Sequence, residues 1–278
     1  MTTILVDQDL CTRCGICSRV CPMGIVDPAD ENTLPRVDDN KAGYCIRCGH
    51  CEVTCPSQAL LLNFRADERI VLSEDSGMLS ADGLGMYLKK RRSVRHFRKD
   101  PVPEGTIMEV LEVAQYAASG GNGQPVQWVV VSDPEEIKKI GQATIDWMKT
   151  LRGSSHPMAG IVPAFVGAWE AGNDLICRNA PHLLIAHTAD DGNVTAYVDA
   201  IIAMTHYDIA APASGIGTCW AGIISIAAGL HPPLQEAFGI PKGHKFVYAM
   251  MFGYPQYTIH GIPRRNPVQV TWRYEKER

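Results

Sequence analysis

Eight of the ten cysteines in this 278-residue chain fall between Cys11 and Cys55, in two runs of the same form. CTRCGICSRVCP opens at Cys11 and CIRCGHCEVTCP at Cys45, so each cysteine recurs 34 positions later, with Pro22 and Pro56 behind the last of each run. Thiolates bind soft metals, and Cys-x2-Cys-x2-Cys-x3-Cys-Pro is the spacing with which a tight loop wraps a [4Fe-4S] cubane while its fourth cysteine reaches the neighbouring cluster. That rule assigns Cys11, Cys14, Cys17 and Cys55 to one cluster and Cys45, Cys48, Cys51 and Cys21 to a second. Zinc takes four ligands, usually as two separated pairs, and leaves the third cysteine and the Cys-Pro step of each run unexplained. Gly15 and Gly49 stand where backbone must pass close to a cluster.

These runs resemble the two-cluster bacterial ferredoxins over residues 1–66. A ferredoxin alone would end there, but more than 200 residues follow. The clusters are therefore expected to serve a second centre on the same chain.

The wider composition fits that expectation. Hydrophobic residues make up 46% and charged residues 20%, the balance of an ordinary folded protein, and the formal charge of -4 gives no global reason to expect nucleic acid. The opening MTTILVDQDL lacks a basic segment followed by an apolar one, and no run of 18 apolar residues occurs. A cytoplasmic protein with reduced thiols and no membrane span is the expectation.

Residues 67–85 carry acidic residues, serines and three glycines with little apolar periodicity, and read as a linker. A helix-like stretch through Met86, Tyr87 and Leu88 then enters KKRRSVRHFRK, which holds seven of the 26 Lys and Arg residues. Such a run suits a solvated face, a nucleic-acid patch or a phosphate site. Beyond a Pro-rich turn, Ile107, Val110, Leu111, Ala114 and Ala118 mark one face of a helix. SGGNGQPVQWVVVS follows, a Gly/Asn loop entering a strand over Val126 to Val131, where small residues let a flat ligand lie against backbone.

Here the chain resembles the FMN-dependent nitroreductase family. RRSVRHF matches that family's Arg-x-Ser-x-Arg-x-Phe element, and Asn122, Gln124 and Pro125 match its Asn-x-Gln-Pro loop. GIGTCWAG at Gly215 to Gly222 resembles its central element, and GYP at Gly253 with PRRNP at Pro263 resembles its tail. The resemblance spans roughly residues 86 to 270. It implies an α+β architecture: a small ferredoxin-like iron-sulfur domain (1–66), the linker, and a nitroreductase-like mixed α/β sheet domain (86–278) that binds FMN. On that likeness Arg91, Arg92, Ser93 and Arg95 hold the FMN phosphate and pyrimidine edge, and Arg264 and Arg265 close on the phosphate. Bidentate arginine suits a phosphate carrying close to two negative charges. Asn122 is assigned to the isoalloxazine edge, Gln124 of the same loop is counted among the cofactor-binding residues, and Gly222 or Ala221 is assigned a backbone N–H near flavin N5. Ile262 stands where family tails often carry a lysine, which puts more weight on the N-terminal arginines. An intertwined homodimer with FMN at the interface is implied too.

The remaining elements follow from local signals. Asp133-Pro134-Glu135-Glu136 starts a helix running to about Lys149. His182 to Thr188 and the segment from Lys245 read as buried strands, and Tyr197 to Ala213 as a long buried helix. The segment from Trp147 to Cys177 corresponds to the family's variable, pocket-shaping region, and its His156 is a candidate proton donor. Trp220 and Cys219 read as core residues before they read as functional ones.

The expected chemistry passes electrons from a low-potential donor such as a reduced ferredoxin through the clusters to FMN, and on to a small organic acceptor: a nitroaromatic, quinone, activated alkene or flavin. Two alternatives stand beside it. In one, NAD(P)H reduces the flavin directly and the clusters deliver electrons outward to a ferredoxin; in the other, the chain is a non-enzymatic redox-sensing or electron-transfer module.

Overall fold

Left-handed backbone at Gly15 (φ 70°) and Gly49 (φ 76°) turns each cysteine run into one turn of helix, α1 (Ile16–Arg19) and α2 (His50–Val53). The repeat extends to the residue before the second cysteine of each run, since Arg13 and Arg47 take φ of 53° and 54°. Strands β1 (Ile4–Val6), β2 (Val26–Asp27), β3 (Arg36–Val37) and β4 (Leu60–Leu62) form two antiparallel pairs, β1 with β4 and β2 with β3. Cys51, Leu60 and Leu62 make a small core, too little to order the module without help. This computed structural model describes residues 4–62, 72, 77 and 79–273, so most of the stretch read as a linker lies outside the described residues.

Within that stretch, helix α3 (Ala81–Lys90) opens earlier than the sequence reading placed it. Ser80 caps it by accepting from the Gly83 N–H at 3.0 Å, and Gly83 and Gly85 lie inside the helix. Lys89 and Lys90 end the helix, where cations favour its negative pole, and Arg91 leaves it at φ -56° and ψ 135°. Helix α4 (Glu104–Ala114) buries Ile107, Val110, Leu111 and Ala114 as their spacing demands, but Ala118 lies beyond its end and is exposed.

Four strands make the main sheet: β5 (Gln127–Val131), β6 (His182–Ala189), β7 (Gly217–Trp220) and β8 (His244–Gly253), ordered β5-β6-β8-β7 and antiparallel throughout. Strand β6 is buried on both faces, so its alternate residues enter different cores. Leu183 and Ile185 join α5 (Pro134–Thr150), α6 (Val162–Glu170) and α8 (Gly222–Leu230). Leu184 and Ala186 join α4 and α7 (Ala196–Ala210). Asp133 caps α5 through the Glu135 N–H at 2.8 Å. Helix α7 continues from Ala211 to Ser214 as 3-10 turn, and α9 (Pro232–Ala237) completes the set. Among the described residues no helix is long and apolar enough to cross a membrane.

Two buried histidines tie β6 to its surroundings. His182 accepts the Val102 N–H at 2.8 Å, and His187 meets His244 Nδ1 to Nδ1 at 2.9 Å. Burial lowers the pKa of both, with the His244 charge adding to the effect at His187. The unfolded chain therefore binds more protons just below the ordinary histidine value of about 6.5, so their stabilising contribution is present above that pH and is lost as pH falls through the lower folded values. Melting temperature is expected to fall from pH 7 to pH 5, with a shallower slope in His187→Gln.

Candidate functional site

Asp208, near the C-terminal end of α7, is the hub of one polar cluster. The residue is 5% exposed, and its carboxylate accepts from three directions: the Thr218 hydroxyl, Trp220 Nε1 at 3.0 Å, and the Arg91 guanidinium at 3.4 Å. Strand β7 thus carries two donors onto the carboxylate and the arginine run carries a third. The run also docks on β7 through backbone, with the Val94 N–H on Thr218 O at 2.8 Å and Ser93 bridged to Thr218 in parallel register. Gly217 makes this approach possible, because a Cβ there would stand 2.5 Å from Val94 Cγ2.

The C-terminal tail comes to the same place. Burial, then the charges of Arg265 and Arg91, lower the pKa of Arg92. Cations held so close raise each other's energy until an anion joins them. Arg265 thus stands near Arg91 and Arg92, and although Asp208 answers the charge of Arg91, the donor set has the chemistry to suit a phosphate. Exposed Arg95 lies near enough to Cys219 to act on its thiol, as does Arg178, which the sequence reading missed. Arg178 has φ of 60° in a turn pinned by the Asp174 carboxylate, which accepts from the N–H groups of Ile176, Cys177 and Asn179.

Two adjacent N–H groups had been candidates for a flavin contact, and the structure separates them. The Ala221 N–H is spent on Ala249 O at 2.9 Å, within the sheet. Gly222 opens α8, where a backbone N–H has no acceptor in its own helix, and Ala221 offers no side-chain cap. Next to it, Cys219 is 6% exposed and burial raises its thiol pKa, although Arg95 and Arg178 pull the other way. Cys219→Ser is expected to retain flavin and at least a third of turnover in steady-state assays; a nucleophilic cysteine would lose far more.

The Gly/Asn loop sits at the other end of α7 and is not brought to the arginines within one chain. Asp199, 3% exposed, anchors it by accepting the Gly120 N–H at 3.0 Å, and Ser119 Oγ accepts the Gln124 N–H at 3.0 Å. Asn122 instead touches the cysteine-rich module. His156 is a structural residue in its turn: Nδ1 accepts the Met158 N–H at 3.2 Å and the ring packs edge-on to Trp147.

The eight cysteines line two cavities. One cavity is lined by Cys21, Cys45, Cys48 and Cys51 and another by Cys11, Cys14, Cys17 and Cys55. Burial, then the charges of Cys21, Cys48 and Cys45, push the Cys51 thiol up to about 11, which places those three sulfurs around it. Burial and then Cys14 and Cys11 raise Cys17 in the same way. Two sets of four thiols around separate hollows fit two cubanes. Among the described residues no three metal-binding side chains converge on a single-ion point.

Comparison with known proteins agrees with this geometry. Residues 88–254 match the nitroreductase family and residues 10–60 match the 4Fe-4S dicluster domain. An NADH dehydrogenase of Thermus thermophilus is 52% identical over 54 residues, 19% of this chain and 26% of that protein. A 5,6-dimethylbenzimidazole synthase of Rhodospirillum rubrum is 50% identical over 52 residues, 19% of this chain and 25% of that protein. The chain thus matches only about a quarter of the length of these two relatives. The fold match is broader: a nitroreductase with bound FMN from Desulfitobacterium hafniense superposes with a TM-score of 0.55 at 20% identity, covering 70% of this chain and 99% of that one. With the arginine run, β7 and α8 all inside the matched span, the chain belongs to the nitroreductase family and carries a 4Fe-4S dicluster domain ahead of it.

Proposed function

We propose that this protein is an FMN-dependent oxidoreductase in which two [4Fe-4S] clusters exchange electrons with the flavin and a small organic acceptor takes them up. The observation that carries the reading is the presence, in one chain, of two four-cysteine hollows and a cluster of arginines drawn together as a phosphate would require. When bound, FMN supplies two-electron chemistry at N5 and each cluster carries one electron. Arg91, Arg92, Arg264 and Arg265 would hold the phosphate, Ser93 and Arg95 the pyrimidine side, and the Gly222 N–H would be free to serve N5. Asp208 keeps Arg91 and Trp220 in place.

A homodimer completes the site. Its support is the exposed apolar surface at Tyr116, Tyr197 and Val198 near the Gly/Asn loop, and at Val268 and Trp272 on the extended tail. The arginines of one copy would then share a flavin with the backbone of the Gly/Asn loop of the other.

Anaerobic purification with iron, sulfide and flavin quantitation tests the cofactor reading, with about eight irons and one FMN per chain expected. Mixing with reduced ferredoxin should bleach the clusters and then the flavin; cluster bleaching that the flavin never follows rejects the electron path. The name of the Thermus relative favours a second reading in which NAD(P)H is the donor. Prompt flavin bleaching on anaerobic NADH or NADPH titration would select it.

A further inference from the structure

One side chain of the nitroreductase domain reaches into a cluster-ligand loop. Asn122 Nδ2 donates to Ile46 O and Arg47 O, each at 3.1 Å, and these are the two residues between Cys45 and Cys48. An amide nitrogen has two hydrogens, so this contact uses its whole donor capacity, while Asn122 Oδ1 accepts from Gln124 Nε2 at 3.3 Å. The loop adopts left-handed backbone at Gly121, Asn122 and Gln124, with φ of 55°, 54° and 45°. Such conformations in non-glycine residues persist where the surroundings impose them, and here Asp199 and Ser119 do so.

We infer that the cluster held by Cys21, Cys45, Cys48 and Cys51 is the one that faces the flavin, and that Asn122 is the positioning residue that latches it there. The cluster held by Cys11, Cys14, Cys17 and Cys55 is then the outer port for the donor. This rests on the electron-transfer reading above and assigns an order to its two clusters. Exposure runs the same way, since Cys51 of the inner set is buried and Cys14 of the outer set is exposed. The two ligand loops share their backbone form at Arg13 and Arg47, so what separates their roles is what each one meets. A low-potential one-electron donor, such as reduced ferredoxin, loses one electron to the outer cluster, which passes it inward. Two such transfers and one proton from solvent would bring the flavin to its anionic hydroquinone.

Asn122→Asp tests the latch: aspartate keeps the shape and tolerates left-handed backbone, but it sets a carboxylate against two carbonyl oxygens. Asn122→Gly, which also tolerates that backbone, serves if the first variant does not fold. Iron-loaded protein is compared with wild type by hydrogen exchange, with and without added FMN, and by anaerobic stopped-flow with reduced ferredoxin. Tenfold or faster exchange over residues 44–49, unchanged exchange over 11–17, and flavin bleaching slowed tenfold behind normal cluster bleaching support the inference. Unchanged exchange over 44–49 overturns the latch. Slowed bleaching of the clusters themselves overturns their order. Wild-type protein that takes up no flavin rejects the functional reading instead, and the exchange result then judges the latch alone.

Discussion

Asp208→Ala is expected to destabilise the nitroreductase domain by about 3 kcal/mol, the scale for removing a buried carboxylate from the donors and cation it serves. For a domain of this size that is a melting-temperature drop on the order of 10 °C. The loss comes from what is left behind: the Trp220 indole N–H and the Thr218 hydroxyl lose their acceptor, and Arg91 loses its counter-charge. Because Arg91 is about 29% exposed, water offsets part of its share, and the two β7 donors carry most of the effect. Flavin content of purified protein should fall with stability. Asp208→Asn keeps one acceptor oxygen, so it should recover roughly half of the lost stability while leaving Arg91 unpaired. Thermal melts of both variants, read beside flavin absorbance, check this; an alanine variant that melts like wild type would show that the cluster around Asp208 is not load-sharing.

The second large effect has opposite signs in the empty and the loaded protein. Arg92 stands among like charges, so Arg92→Ala relieves repulsion and should leave the melting temperature of flavin-free protein unchanged or raised. If Arg92 holds the phosphate as proposed, the same variant should weaken FMN binding roughly 30-fold, the scale of one charge-assisted contact. Arg92→Glu should weaken it further and make the residual binding less sensitive to salt. Fluorescence titration of flavin-free protein with FMN, paired with melts in the absence of flavin, reads both signs. Equal destabilisation with and without flavin would assign Arg92 to the fold and not to an anion.

Legibility followed how tightly chemistry constrains each residue. Spacing alone grouped the eight cysteines into two crossed sets of four, because a cubane would dictate the spacing of its thiols, and the same two sets line the two hollows. Asp133-Pro134 announced α5 because a capping carboxylate and a fixed φ act within a few residues. Helix α3 was placed late because Gly83 and Gly85 lie inside it and look like breakers. Asp208 gave no periodic or motif signal, since its partners lie 10, 12 and 117 residues away. One cue was available: two aspartates, 199 and 208, in a helix otherwise rich in Ala and Ile, and a carboxylate buried in apolar company needs donors. The docking of Asn122 on Ile46 and Arg47 was beyond reach because it uses main-chain carbonyls, which every residue owns.

The interval between Asp199 and Asp208 behaves as a ruler. Nine residues at 1.5 Å each set the two carboxylates about 13 Å apart along α7, one gripping the Gly/Asn loop and the other gripping β7 and the arginine run. Adding or deleting a single residue there would swing one carboxylate by about 100° around the helix, away from its donors. Length changes among proteins built on this plan should therefore collect in the loops between α5 and β6, while this stretch of α7 keeps its count.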